Sequence, residues 1–156
     1  MGLNEDKKNM SLAILEAKKA YDEGEVPIGA VLTDESGILI CAEHNRIEQM
    51  KDATAHAEIL LLRKATKIIE RKNFLNYTLY STIEPCPMCA GALVLCRVGR
   101  LVYGATDSKF GAAESLFNIV DNKNLNHRLK VTAGVLENEC LQLMKKFFIE
   151  RRENKF

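Results

Sequence analysis

The chain has 156 residues, and what it lacks excludes several classes at once. No apolar run approaches the ~18 residues that a membrane span needs. There is no low-complexity stretch, no linker rich in proline, glycine and serine, and no internal repeat. With 47% hydrophobic and 28% charged residues, disordered and fibrous chains are excluded, and one domain spanning 1–156 is expected. Neither sign of charge prevails, since 22 basic and 21 acidic residues leave a formal +1. A dedicated nucleic-acid domain usually has a pI above about 9; here it is 7.6. Any polyanion must therefore be gripped by a local patch. No export signal is read, because the acidic Glu5 and Asp6 precede a short apolar segment that Glu16 breaks. The cysteines number five: Cys41, Cys86, Cys89, Cys96 and Cys140. An odd count without an export signal points to a reducing, cytoplasmic setting, where Cys-x-x-Cys serves metal or redox chemistry more often than a disulfide.

Periodicity predicts an amphipathic helix over Asn4–Glu23, with Met10, Ile14, Ala17 and Tyr21 on one face and Gly24 as its stop. Strands follow at Ile28–Thr33 and Ile38–Ala42 around an Asp34-Glu35-Ser36-Gly37 turn. A polar loop spans Glu43–Thr54. A helix is predicted over Ala55–Glu70 with Thr54 near its cap, then a strand at Thr78–Ile83. Proline suits a first helical turn, so Pro87–Val98 reads as a helix. Further on, Arg100–Tyr103 is a strand, Glu114–Phe117 a short helix in an irregular stretch, and Lys130–Ala133 a strand. The last helix is Glu137–Arg152, with Leu141, Met144 and Phe148 along one face. Alternating strands and helices predict an α/β fold with helices on both faces of the sheet.

The chemistry concentrates in His56-Ala57-Glu58 and Pro85-Cys86-Pro87-Met88-Cys89. Cys86 and Cys89, three apart at a helix start, share one face, and helix N-terminal amides favour thiolates. His56 also stands at a helix start. If the two N-termini converge, a tetrahedral zinc fits. Cys96 is excluded as a fourth ligand, lying ~10 Å along the helix at 1.5 Å per residue; Cys41, His44 and His127 stay open. Three ligands are favoured, because Glu58 is well placed to handle protons on a bound water. By itself, Cys-x-x-Cys also fits a redox pair or part of a structural zinc site. The order His-x-Glu, then Pro-Cys-x-x-Cys, is far more specific, being the signature of zinc-dependent deaminases.

On these motifs the chain resembles the bacterial tRNA-specific adenosine deaminases, of the cytidine-deaminase-like superfamily. Further matching segments are Val26–Val31, Thr54–Glu58, Thr82–Ala92, Tyr103–Lys109 with Gly111–Ala113, Asn126–Arg128, Phe147-Phe148 and Arg151-Arg152. The resemblance implies a three-layer α/β/α fold with a mixed sheet of about five strands. It implies a cytoplasmic homodimer that converts the wobble adenosine of a tRNA anticodon to inosine. One zinc per subunit would be held by His56, Cys86 and Cys89, and Glu58 would shuttle protons. Asn45 and Ala57 would contact the inserted base, with Asp107 and Lys109 near the anticodon. Asn126, His127, Phe148, Arg151 and Arg152 would lie in or near the RNA surface. Glu114 stands where relatives often carry a small residue, and an acid there works against phosphate contacts. No membrane or DNA partner is expected.

From the residues alone, Asn45 is a turn residue. Phe147 and Phe148 are core candidates, although two adjacent helical positions cannot both face inward. Lys145, Lys146, Arg151, Arg152 and Lys155 against Glu150 and Glu153 make the most basic segment. A free-base or nucleoside deaminase and a non-catalytic zinc-binding module are the competing readings. The first would not need the Asp107–Gly111 loop or the basic tail. The second requires four protein ligands.

Overall fold

A computed structural model describes residues 2–154. The chain runs α1 (Leu3–Asp22), β1 (Gly29–Thr33), β2 (Leu39–His44), α2 (Ile47–Met50), α3 (Ala57–Ile69), β3 (Thr78–Ile83), α4 (Pro87–Leu95), β4 (Arg100–Ala105), β5 (Lys130–Thr132) and α5 (Glu137–Glu153). The five strands form one mixed sheet in the order β2-β1-β3-β4-β5. β1 is antiparallel to β2 and β3, whereas β3, β4 and β5 are parallel. The expected α/β architecture of about five strands is thus the one observed.

Side chains alternate across the strands. Ala30, Leu32, Leu79, Leu101 and Tyr103 pack with Ala57, Leu61, Ala90 and Leu93 of α3 and α4. Val31, Tyr80 and Val102 point the other way, into a second cluster with Met10, Ala13 and Cys140 of α1 and α5. Because both faces are covered, β1 and β3 are buried along their whole length. No helix among the described residues is long and apolar enough to cross a membrane.

One buried ion pair ties α1 to the sheet. Arg100 donates twice to Asp6, at 2.9 and 2.7 Å, and the Tyr80 hydroxyl donates to the same carboxylate at 2.9 Å. Asp6 is 3% exposed. Removing one partner of a buried pair strands the other charge, so Asp6→Ala should cost about 3 kcal/mol. Urea titration measures this; a loss under about 1 kcal/mol, the value of an exposed pair, would show that the pair is solvated.

Five sequence expectations need correction. Thr54 does not cap α3: its amide and hydroxyl turn to Asp52 Oδ1, and His56 occupies the cap position. The polar loop contains the one-turn helix α2, whose Glu48 and Gln49 amides donate to the buried Glu25 carboxylate. Residues 114–117 form turns rather than a helix, because three consecutive amides there donate to Glu84. The buried residues of α5 are Cys140 and Phe147, with Leu141 and Met144 partly buried against the cluster that holds Cys140, whereas Phe148 is 46% exposed and leaves that stripe. α4 also stops short of Val98, at Leu95.

Candidate active site

α3 and α4 lie on the same face of the sheet, and each begins at one end of it. His56 is the N-cap of α3 and Cys86 the N-cap of α4, with Pro87 at the first helical position. Neither side chain makes a capping hydrogen bond to its helix, and the two face each other. His56 Nδ1 stands 3.6 Å from Cys86 Sγ and 3.5 Å from Cys89 Sγ. Bond lengths of ~2.0–2.1 Å to nitrogen and ~2.3 Å to sulfur place the two ligands about 3.6 Å apart on a tetrahedral zinc. The trio therefore has the spacing of a metal site, and His56, Cys86 and Cys89 are the only such group among the described residues. The remaining candidates for a fourth ligand are engaged elsewhere. His44 Nε2 pairs with Glu23 at 2.7 Å, His127 Nε2 donates to the Val98 carbonyl at 2.7 Å, and Cys41 packs in the core near the Leu61 carbonyl.

The electrostatics suit a cation. Hydrogen bonding from Cys89, then from His56, holds the Cys86 thiol down at about 4 despite burial. The same contact to Cys86, reinforced by burial, pushes the Cys89 thiol up. His56 is raised mainly by its hydrogen bond to Cys86. Both helix N-termini add partial positive charge, which favours the thiolate of Cys86.

Glu58, in the first turn of α3, is 4% exposed. Burial is the chief cause that raises its carboxyl to about 6. It opens on a cavity of about 630 Å³ that His56, Cys86, Asn45, Asp107 and Phe148 also line. Most of the remaining wall is apolar, from Val26, Ile28, Ile83, Met88 and Phe110 among others. A wider groove between α1 and α5 has neither histidine nor cysteine in its lining and lies on the opposite face of the sheet.

Asn45 has two tasks. Its side-chain oxygen accepts from the Ala57 amide at 2.8 Å, satisfying an open donor of α3 from outside the helix. Its side chain also borders the cavity. Ala57 itself is fully buried and reaches the cavity only through Asn45. Asp107 turns its Oδ1 onto the Lys109 and Phe110 amides of its own loop.

Lys109, Phe148, Arg151, Arg152 and Asn154 line an adjoining depression that shares Phe148 with the cavity. Phe147 is buried and Phe148 exposed, as adjacency on a helix demands. Arg151 donates to the Gly24 carbonyl and lies over the Phe147 ring, 5.0 Å from its centroid. Helical periodicity divides the basic segment. Lys145 and Lys146 face the α1–α5 groove, Lys146 above Tyr21, while Arg151 and Arg152 face Lys109. Lys155 lies outside the described residues. Asn126 and His127 are not brought to the cavity; they sit with Val94, Leu95 and Leu125 in a shallow depression. Glu114 accepts from the Tyr103 hydroxyl, which turns its charge toward the protein.

Sequence reading missed Met88, Phe110, Met144 and Glu84 as parts of this cavity. Phe110 alone carried a local signal, as an aromatic between Lys109 and Gly111 in an otherwise polar loop. The others were indistinguishable from core or surface residues.

Comparisons agree with this geometry. The family model described as MafB19-like deaminase matches residues 4–152. A tRNA-specific adenosine deaminase of Haemophilus influenzae is 48% identical over 96% of this chain and 87% of its own length. A solved structure from work on A-to-I editing by tRNA:A34 deaminases at the wobble position of transfer RNA superposes with a TM-score of 0.83. It is 40% identical, covering 87% of this chain and 98% of its own. A guanine deaminase from Nitrosomonas europaea gives a TM-score of 0.79 at 25% identity, over 90% of this chain and 83% of its own. The chain belongs to the MafB19-like deaminase family, and within its relatives to the tRNA-specific adenosine deaminases.

Proposed function

We propose that this chain is a single deaminase domain that converts the wobble adenosine of a tRNA anticodon to inosine, releasing ammonia. It would use one zinc per subunit, held by His56, Cys86 and Cys89. The observation that carries the reading is the buried Glu58 carboxyl beside a three-membered ligand group, in a cavity that opens on a basic and aromatic depression.

Bound zinc would supply a water acidic enough to act as a nucleophile near neutral pH. With zinc bound, Glu58 would take one proton from the attacking water and deliver it to N1 of adenine. It would then take the second from the oxygen now on C6 and deliver it to the departing amino group, so that ammonia leaves and a C6 carbonyl remains. One carboxyl serves both transfers because burial lifts it to about 6, close to the working pH. Asn45 offers its amide N–H to the inserted base while Ala57 holds its oxygen. The apolar wall of Ile28, Ile83 and Met88 excludes bulk water from the base.

An adenine must leave its stack to enter the cavity, which is less costly in a loop than in a duplex. The exposed Phe148 offers a stacking face, and Lys109 and Arg152 offer charge to flanking phosphates. Because Arg151 is tied to Gly24, Arg152→Ala is the cleaner test. It should weaken tRNA binding and reduce the slope of log K against log salt by about 0.7–0.9 per lost phosphate contact. Filter binding at several salt concentrations reads this, and an unchanged slope counts against the patch.

The direct test is incubation of the purified protein with a tRNA transcript bearing adenosine at the first anticodon position, with guanine, cytosine and cytidine in parallel. Inosine at that position with inert free bases supports the reading; turnover of the free bases alone would make this a small-substrate deaminase. We further propose a cytoplasmic homodimer. The 83%-exposed Leu95, grouped with Val94 and Leu125, supports a self-association face, and sedimentation equilibrium gives the subunit number.

A further inference from the structure

Glu84 ends the segment that leads into Pro85 and Cys86, yet its carboxylate does nothing toward the ligand group. It is 3% exposed. Its Oε1 accepts from the Asp107 amide at 3.0 Å and from the Ser115 hydroxyl. Its Oε2 accepts from the amides of Ala113, Glu114 and Ser115 at 3.0, 2.8 and 2.9 Å. Five donors from one loop thus converge on one side chain. A second observation points the same way. A Cβ at Gly111 would fall 2.4 Å from both Cδ and Oε1 of Glu84 and 2.5 Å from the Asp107 carbonyl. Only glycine lets the loop close this tightly on the carboxylate.

Asp107 and Phe110 of that loop line the cavity. Glu84 is two residues from Cys86, and its own amide donates to the Ala105 carbonyl at the end of β4. One short segment therefore carries both a ligand and the anchor of the opposite wall. We infer that Glu84 is a positioning residue, whose buried carboxylate sets the 107–115 loop, and so the mouth of the cavity, relative to the ligand group. The inference rests on the proposed tRNA reading for its substrate. Its physical content is preorganisation: a loop already held in its bound geometry spares the RNA the cost of ordering it, so loosening the loop weakens binding.

The test uses zinc-loaded Glu84→Gln and Gly111→Ala. The first removes the charge and places an N–H against donors; the second keeps the carboxylate and crowds it. An anticodon stem-loop RNA with adenosine at the first anticodon position is the probe. Expected are a rise of about tenfold or more in KM and Kd, with kcat at saturating RNA within about threefold. Zinc content should be unchanged, and the amides of 107–115 should exchange faster with solvent. A role confined to overall stability would move the unfolding midpoint and leave KM alone. If Glu84→Gln does not fold, Gly111→Ala decides. Unchanged KM, Kd and loop exchange in a folded variant overturns the inference while wild-type editing stands. If wild-type protein makes no inosine, the functional reading fails instead. Loop exchange then judges the anchor alone: faster exchange upholds it, unchanged exchange overturns it.

Discussion

A metal-replete Glu58→Ala protein is expected to keep one zinc per chain and lose about 10²–10⁴-fold or more of its turnover. The trio His56, Cys86 and Cys89 holds its spacing through two helix N-termini, neither of which depends on the Glu58 carboxyl. What disappears is the one acidic group within the cavity wall that can pass a proton between water and base; Glu84 is saturated by its loop, and Asp107 is turned onto its own amides. Glu58→Gln should behave alike, because it preserves shape and removes proton transfer. Single-turnover inosine formation on tRNA, with metal analysis of the same sample, separates chemistry from loading. Near-normal turnover in either variant, fully loaded, would remove Glu58 from the mechanism.

The second large effect concerns the ligands. Cys86→Ala leaves two side chains, and two cannot hold the ion in tetrahedral geometry with a water in the open position. Zinc content of the purified protein should fall to a small fraction of one per chain, and editing by more than about 10³-fold, the order expected when the activated water is lost. Cys96→Ala is the internal control. Cys96 is the C-cap of α4, outside the ligand group, so metal and activity should stay near wild type. Full zinc occupancy in Cys86→Ala would mean that another donor completes the site, and the three-ligand reading would fail.

How much of this was legible before folding differs from residue to residue. Cys86 and Cys89 announce themselves because three residues at a helix start bring two sulfurs to one face, and Pro87 marks that start. Glu58 is readable because it sits two residues from His56, at the beginning of the same helix. Asn45 was readable only as a turn residue; its bond to the Ala57 amide spans 12 positions and depends on where β2 ends. Glu84 carried no local signal of its role, because its partners lie 23 to 31 positions away. The C-terminal helix misled for a related reason. Its charges and aromatics were counted in one dimension, but a helix distributes consecutive residues around its circumference. Lys146 and Arg152 therefore ended on different grooves.

Local chemistry along the chain was enough to single out His56, Cys86 and Cys89, which the fold brings within metal-binding distance, the neighbouring Glu58, and the alternation of strands with helices. Each depends on spacings of two to four residues, which backbone geometry converts directly into shared faces. Packing decided the rest: which wall Asp107 and Phe110 complete, how Phe148 comes to border the cavity, and why Asn126 and His127 stand apart in the single chain. Those placements come from hydrogen bonds and apolar contacts between segments far apart in order, and no short-range spacing encodes where such segments will meet.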